Sequence, residues 1–291
     1  MPIVMHALFG YRHCVRTVVL FFLCILLPAC STPSFNDLLA AASSQAAAVG
    51  FSSSTINTQL FTLQVYSKVS DARKPLRIYL EGDGKSWVTR YRPSLNPTAH
   101  NPVALELALS DQQAGNVIYL GRPCHYRPTG LDKNCEIKYW TRESYSQVVV
   151  DNLAEAITAL KQQYGVAKIE LVGFSGGGAL ALLLAAQRDD VISVRTVAAN
   201  IDVAAFIDYH NVSPMSGSLN PVNFATQLAS IPQLHFSGED DRVVPKKIAE
   251  SYLSQLPNQH CGQLISLAGF SHQQGWQQRW PELLLQEPRC Q

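Results

Sequence analysis

Short apolar runs alternate along this chain with stretches of helical spacing. Leu76–Leu80, Asn116–Leu120, Ile169–Phe174, Val191–Ala199, Gln233–Gly238 and Gln263–Ala268 read as strands. Leu60–Val69 alternates apolar and polar positions, the pattern of a half-buried antiparallel edge strand. Between them, Val103–Leu109, Ser144–Tyr164, Pro245–Leu256 and His272–Leu285 are expected to be helices, as is the Ala/Leu-rich segment after Gly176. In the second of these, Val148, Leu153, Ile157 and Leu160 fall roughly on one face. Residues 203–230 carry Asn, Pro and Ser punctuation and suggest loops and a small cap. Strands and helices alternating at this spacing predict an α/β fold with a doubly wound, mostly parallel sheet.

The N-terminal pattern differs and changes where the fold should begin. Arg12, His13 and Arg16 precede the apolar run Thr17–Leu27, which is too short for a permanent membrane helix. It ends in Leu27-Pro28-Ala29-Cys30, which resembles a bacterial lipobox, and Ser31 resembles an outer-membrane sorting residue. That resemblance implies a signal peptide over 1–29, a lipidated Cys30 and an outer-membrane lipoprotein facing the periplasm. An ordinary cleaved secretory signal is the alternative. Residues 30–57 are rich in Ser and Ala and read as a tether with a short helix over Leu38–Val49, leaving 58–291 as the folded domain.

Composition narrows the function classes. Charged residues are 15% of the 291 and the net charge is +1, with no Lys/Arg run, so nucleic-acid binding has no support. Beyond Cys30 the chain has Cys124, Cys135, Cys261 and Cys290, an even number suited to an oxidising compartment. No Cys/His spacing suggests a metal, and no cofactor is expected.

The candidate chemistry centres on Gly173-Phe174-Ser175-Gly176-Gly177, where a strand turns at once into a helix. A Gly-x-Ser-x-Gly turn of this kind lifts the hydroxyl above the sheet and aims a helix N-terminus at its target. Functional groups in parallel sheets gather beyond the carboxyl ends of the strands. His272 follows the last strand and satisfies that rule, whereas His260 precedes it. The upstream His100, His125, His210 and His235 have no partner pattern and read as structural or surface residues.

Gly238-Glu239-Asp240-Asp241-Arg242-Val243-Val244-Pro245 resembles the acid loop of α/β-hydrolases, and its spacing selects Asp241. Asp240 and Asp202 are the alternatives. EGDGKSW, RPSLNP, GRPC, GFSGGGAL and the acid loop together resemble bacterial α/β-hydrolase-fold serine hydrolases across most of residues 76–272. The resemblance implies Ser175 as nucleophile, His272 as base and Asp241 as the group that orients it. The oxyanion would be held by the backbone amides of Gly176 and Asp83. The implied activity is carboxylic ester hydrolysis on a small-molecule or lipid-like ester. A thioesterase, a peptidase or a non-catalytic envelope lipoprotein on the same scaffold are the alternatives.

Glu81 stands where many relatives carry histidine, so it must be neutralised or point away; Lys85, Arg90 and Arg92 are candidate partners. Trp87, Tyr91, Tyr126 and Trp140 are candidates to line an acyl pocket. The topology also favours two disulfides. The last helix returns antiparallel to the last strand, which brings Cys290 to Cys261, while Cys124 and Cys135 close the irregular loop between them.

Overall fold

In the computed structural model, which describes residues 33–127, 133–257 and 259–291, one unit spans Phe35–Gln291. Helix α1 (Phe35–Ala48) leads through the buried Phe51 into strand β1 (Ser52–Asn57). β1 pairs antiparallel with β2 (Thr62–Val69), Ser52 opposite Ser67 and Asn57 opposite Thr62. The helix expected over Leu38–Val49 is therefore present as α1, but the segment expected to be a tether over 30–57 belongs, from Phe35 onward, to the fold. Its small residues are the reason: Ala42 and Ala46 are buried where the helix lies close to the sheet, and Ser43 Oγ hydrogen-bonds Tyr66 Oη at 3.0 Å. The signal segment and Cys30 lie outside the described residues. Among the described residues, no helix is long and apolar enough to cross a membrane.

The chain continues through β3 (Leu76–Leu80), a small hairpin of β4 (Trp87–Thr89) and β5 (Arg92–Pro93), α2 (Val103–Ser110) and β6 (Asn116–Leu120). Then come α3 (Gln147–Tyr164), β7 (Ile169–Phe174), α4 (Gly176–Gln187), β8 (Val191–Val197) and α5 (Val203–His210). The short α6 (Ala225–Leu228), β9 (Gln233–Gly238), α7 (Lys247–Ser254), β10 (Gly262–Leu267) and α8 (Trp276–Leu283) complete the fold. Eight strands form one sheet in the order β1-β2-β6-β3-β7-β8-β9-β10, parallel from β6 onward. This is the doubly wound, mostly parallel sheet that the alternation of elements predicts.

Every residue of β3 and β6 is buried, because helices cover both faces. One core gathers α3, α4 and α7; the other gathers α1, α2 and α8. α4 is buried from Gly176 to Ala185, which its Gly-Ala-Leu sequence permits because it has no polar face to keep wet. α3 is amphipathic instead, starting at an N-cap on Ser146 and ending at Gly165, whose φ of 65° suits glycine.

Two disulfides join Cys124 to Cys135 and Cys261 to Cys290. The second ties the amino end of β10 to the chain beyond α8. The last helix begins at Trp276 rather than His272. Gly269 and Gly275 take positive φ, and Ser271 Oγ accepts from the Gln274 amide at 3.2 Å, so residues 268–275 form a loop that carries His272 above the sheet.

Candidate active site

Ser175 occupies the turn from β7 into α4 with φ 50° and ψ −122°, a conformation seldom adopted by a residue with a side chain. The turn is possible because its neighbours are glycines. A Cβ on Gly173 would strike the Gly177 backbone, and one on Gly177 would strike the Leu80 and Glu81 carbonyls. As the first residue of α4, Gly176 has an N–H with no intrahelical acceptor.

His272 Nε2 lies 3.1 Å from Ser175 Oγ, and its Nδ1 lies 2.9 Å from Asp241 Oδ2. The Asp241 side chain is fully buried, and its Oδ1 accepts from the amides of Val243 and Val244, each at 2.8 Å. A carboxylate can only accept, so the proton sits on Nδ1 and Nε2 is left to accept from the serine hydroxyl. Phe174 packs against the imidazole at 5.1 Å, and Trp276 Nε1 donates to the Ser271 and His272 carbonyls at 2.9 and 3.1 Å. The ring is therefore held in place from several sides.

The other acid candidates are placed elsewhere. Asp240 is exposed. Asp202 caps α5 by accepting from the Ala205 amide at 3.1 Å and also accepts from Ser251 Oγ at 2.6 Å. His260 sits before the amino end of β10, away from the strand end that carries His272.

Glu81 is buried, and none of Lys85, Arg90 or Arg92 neutralises it. Its carboxylate turns instead to the start of α2 and accepts from the amides of Gly82, Ala104 and Leu105 at 3.0, 3.3 and 3.4 Å. A helix N-terminus offers such donors and a favourable dipole. Burial nevertheless outweighs those hydrogen bonds and pushes the carboxyl up to about 7.

Asp83 faces Gly176 so closely that a Cβ on Gly176 would collide with its carboxylate. That carboxylate is clamped. Arg122 Nη1 donates to Oδ1 at 2.6 Å, and Tyr145 Oη donates to Oδ2 at 2.7 Å. Arg122 is 2% exposed and also donates to the Ser144 carbonyl at 2.9 Å. Sequence reasoning gave Arg122 and Tyr145 no role, although Arg122 stands just past the carboxyl end of β6.

A cavity of about 490 Å³ opens over Ser175 and His272. Phe206 of α5 and Val243 contribute apolar surface; Lys85, His100, Asn101 and Gln273 contribute polar surface. Of the four aromatic candidates, Trp87 lines the cavity, Tyr91 is 84% exposed, and Tyr126 and Trp140 are buried in the two cores. Asn200 also lines the cavity, and its Oδ1 is buried without a donor among the described residues. No group of three or more His, Cys, Asp or Glu among the described residues could hold a metal ion.

Residues 101–269 match the serine hydrolase (FSH1) family. The chain belongs to that family. Solved structures agree on the fold of this serine hydrolase. An alpha-beta serine hydrolase homologue from Coxiella burnetii is 18% identical with TM-score 0.54, over 80% of this chain and 93% of its own. Est1E from Butyrivibrio proteoclasticus with ferulic acid bound is 14% identical with TM-score 0.59, over 80% of this chain and 98% of its own. Pyrococcus horikoshii acylaminoacyl peptidase is 11% identical with TM-score 0.58, over 81% of this chain but 41% of its own. No curated protein matches the sequence.

Proposed function

We propose that this serine hydrolase cleaves carboxylic esters through an acyl-enzyme on Ser175. The observation that carries the reading is the placement of His272 between two partners, 3.1 Å from Ser175 Oγ and 2.9 Å from Asp241 Oδ2. Ser175 Oγ attacks the ester carbonyl as its proton passes to His272 Nε2. The negative charge on the carbonyl oxygen is received by the backbone amides of Gly176 and Asp83. The C–O bond then breaks, and the alcohol leaves with the proton from His272. Water attacks the acyl-enzyme with the same imidazole as base, releasing the acid and restoring Ser175. Asp241 keeps the proton on Nδ1 throughout and stabilises the imidazolium.

Leaving-group chemistry tests the ester assignment against the thioesterase and peptidase alternatives. With p-nitrophenyl butyrate, a butyryl thioester and butyryl p-nitroanilide, the ester is expected to have the highest kcat/KM, by about tenfold or more, a difference of about 1.4 kcal/mol in the barrier. Faster cleavage of the thioester or the anilide would reassign the reaction. Absence of turnover on all three would favour a non-catalytic scaffold.

We also propose that the enzyme works in a cell envelope, anchored through a lipid on Cys30. The Leu27–Cys30 motif supports the anchor, and the Cys124–Cys135 and Cys261–Cys290 bonds support an oxidising compartment. Metabolic labelling with a fatty-acid probe, compared with Cys30→Ala, tests the anchor; equal labelling of both would remove it.

A further inference from the structure

Charge is distributed unevenly around the cavity over Ser175. Of the carboxylates that border it, Glu81 accepts from three amides at the start of α2, and Asp83 is held by Arg122 and Tyr145. Lys85 borders the same cavity, and its ammonium has neither an ion pair nor a hydrogen bond among the described residues. The neighbouring acids are already engaged by other groups, so the positive charge of Lys85 is left for whatever enters.

Lys85 is also held at this position by the loop that carries it. Its amide donates to the Pro97 carbonyl at 2.9 Å, and Ser86 Oγ donates to the Asp83 carbonyl at 2.7 Å. Gly84, between Asp83 and Lys85, has a φ of 62°, and a Cβ there would collide with the Pro97 carbonyl. Lys85 is only partly exposed, and a side chain of this length lets its ammonium turn toward the cavity it lines.

His100 lines the same space and likewise has neither an ion pair nor a hydrogen bond among the described residues. Burial, and then the nearby charge of Lys85, lower its pKa. A neutral imidazole there offers one N–H donor beside the ammonium. Asn101 Nδ2 donates to Gln273 Oε1 at 3.1 Å and joins this polar wall to the loop of His272. Phe206 and Val243 give the cavity apolar surface.

We propose that Lys85, assisted by His100, forms a subsite for an anionic group, so that the preferred substrate is an ester carrying a carboxylate or similar anion. The inference rests on the ester-hydrolase reading above and names the substrate class for that site. The anion could belong to the acyl part or to the alcohol part, and both present the same chemistry to Lys85.

Two matched substrate pairs distinguish these sources. Monomethyl glutarate against methyl pentanoate places the charge on the acyl side, and 4-acetoxybenzoate against 4-acetoxybenzamide places it on the alcohol side. In one pair the wild type is expected to favour the anionic member about tenfold in kcat/KM, the scale of one charge-assisted hydrogen bond. Lys85→Gln should bring that ratio close to one, Lys85→Glu should invert it, and His100→Ala should reduce it. The ratio is internal to each variant, so partial loss of folding affects both members alike. A wild-type ratio near one in both pairs, or a preference that survives Lys85→Gln, overturns the subsite while leaving the hydrolase reading intact. A wild type that cleaves neither neutral nor anionic members and ignores a fluorophosphonate brings down both.

Discussion

Arg122 donates a 2.6 Å hydrogen bond to the Asp83 carboxylate, and that carboxylate packs against Gly176 beside Ser175, the proposed nucleophile. The contact brings a negative charge close to the place where the proposed oxyanion forms. Arg122 compensates for that charge and, with Tyr145, fixes the loop whose backbone amide would face the oxyanion. Arg122→Met should therefore lower kcat by about tenfold or more, short of the 10²–10³-fold typical when an oxyanion donor is lost outright. KM should change by less than about twofold, because the clamp acts on developing charge rather than on substrate binding. Steady-state kinetics read this split, and an unchanged kcat would remove the clamp from the mechanism.

Asp241 is fully buried and reaches His272, whereas Asp202 caps a helix and Asp240 is exposed. Asp241→Asn is expected to reduce kcat about 10³–10⁴-fold by favouring the wrong imidazole tautomer. Asp240→Asn should change kcat by less than about threefold, the behaviour of an exposed site away from the chemistry. Comparable losses in the two variants would reassign the acid.

Glu81 titrates near 7 in the folded protein because burial disfavours its charge, against an ordinary carboxyl value of 4.5. Between those two values the folded state holds more protons than the unfolded state. The associated stability is full below the lower value and is lost as pH rises through the upper one. Urea midpoints at about pH 5 and about pH 8 should show a larger loss for wild type than for Glu81→Gln, which cannot titrate. Equal losses would show that Glu81 does not contribute to the pH dependence.

The Cys261–Cys290 bond closes a separation of 29 residues, for which chain entropy gives about 3.5 kcal/mol. Replacing both cysteines with serine should lower the melting temperature clearly. Ester turnover at low temperature should survive, because Cys261 lies at the amino end of β10 and His272 beyond its carboxyl end. Calorimetry paired with an ester assay checks both halves, and early loss of activity without a fall in melting temperature would contradict them.

The sheet was legible where local physics is strong. Leu76–Leu80, Asn116–Leu120 and Gln233–Gly238 are buried on both faces and keep their expected bounds. The strand-end positions of Ser175, Asp241 and His272 were equally legible, since each follows directly from a strand and its turn. β1 was not, because the exposed Ser52-Ser53-Ser54 has no apolar alternation and becomes a strand only through pairing with β2. Arg122 and Tyr145 come from separate loops and meet Asp83 only in three dimensions. The surroundings of Glu81 are not legible either, because its sequence neighbours do not reveal the amides of α2 that receive it. His100 gave no signal for a similar reason, since only the folded loop brings it beside Lys85.

The nucleophilic role of Ser175 is tested most directly by covalent labelling with a fluorophosphonate, followed by peptide mapping. Wild type should carry one adduct, located on Ser175, while Ser175→Ala carries none and His272→Ala reacts far more slowly. A folded wild type that stays unlabelled, or an adduct on any other residue, would contradict the account.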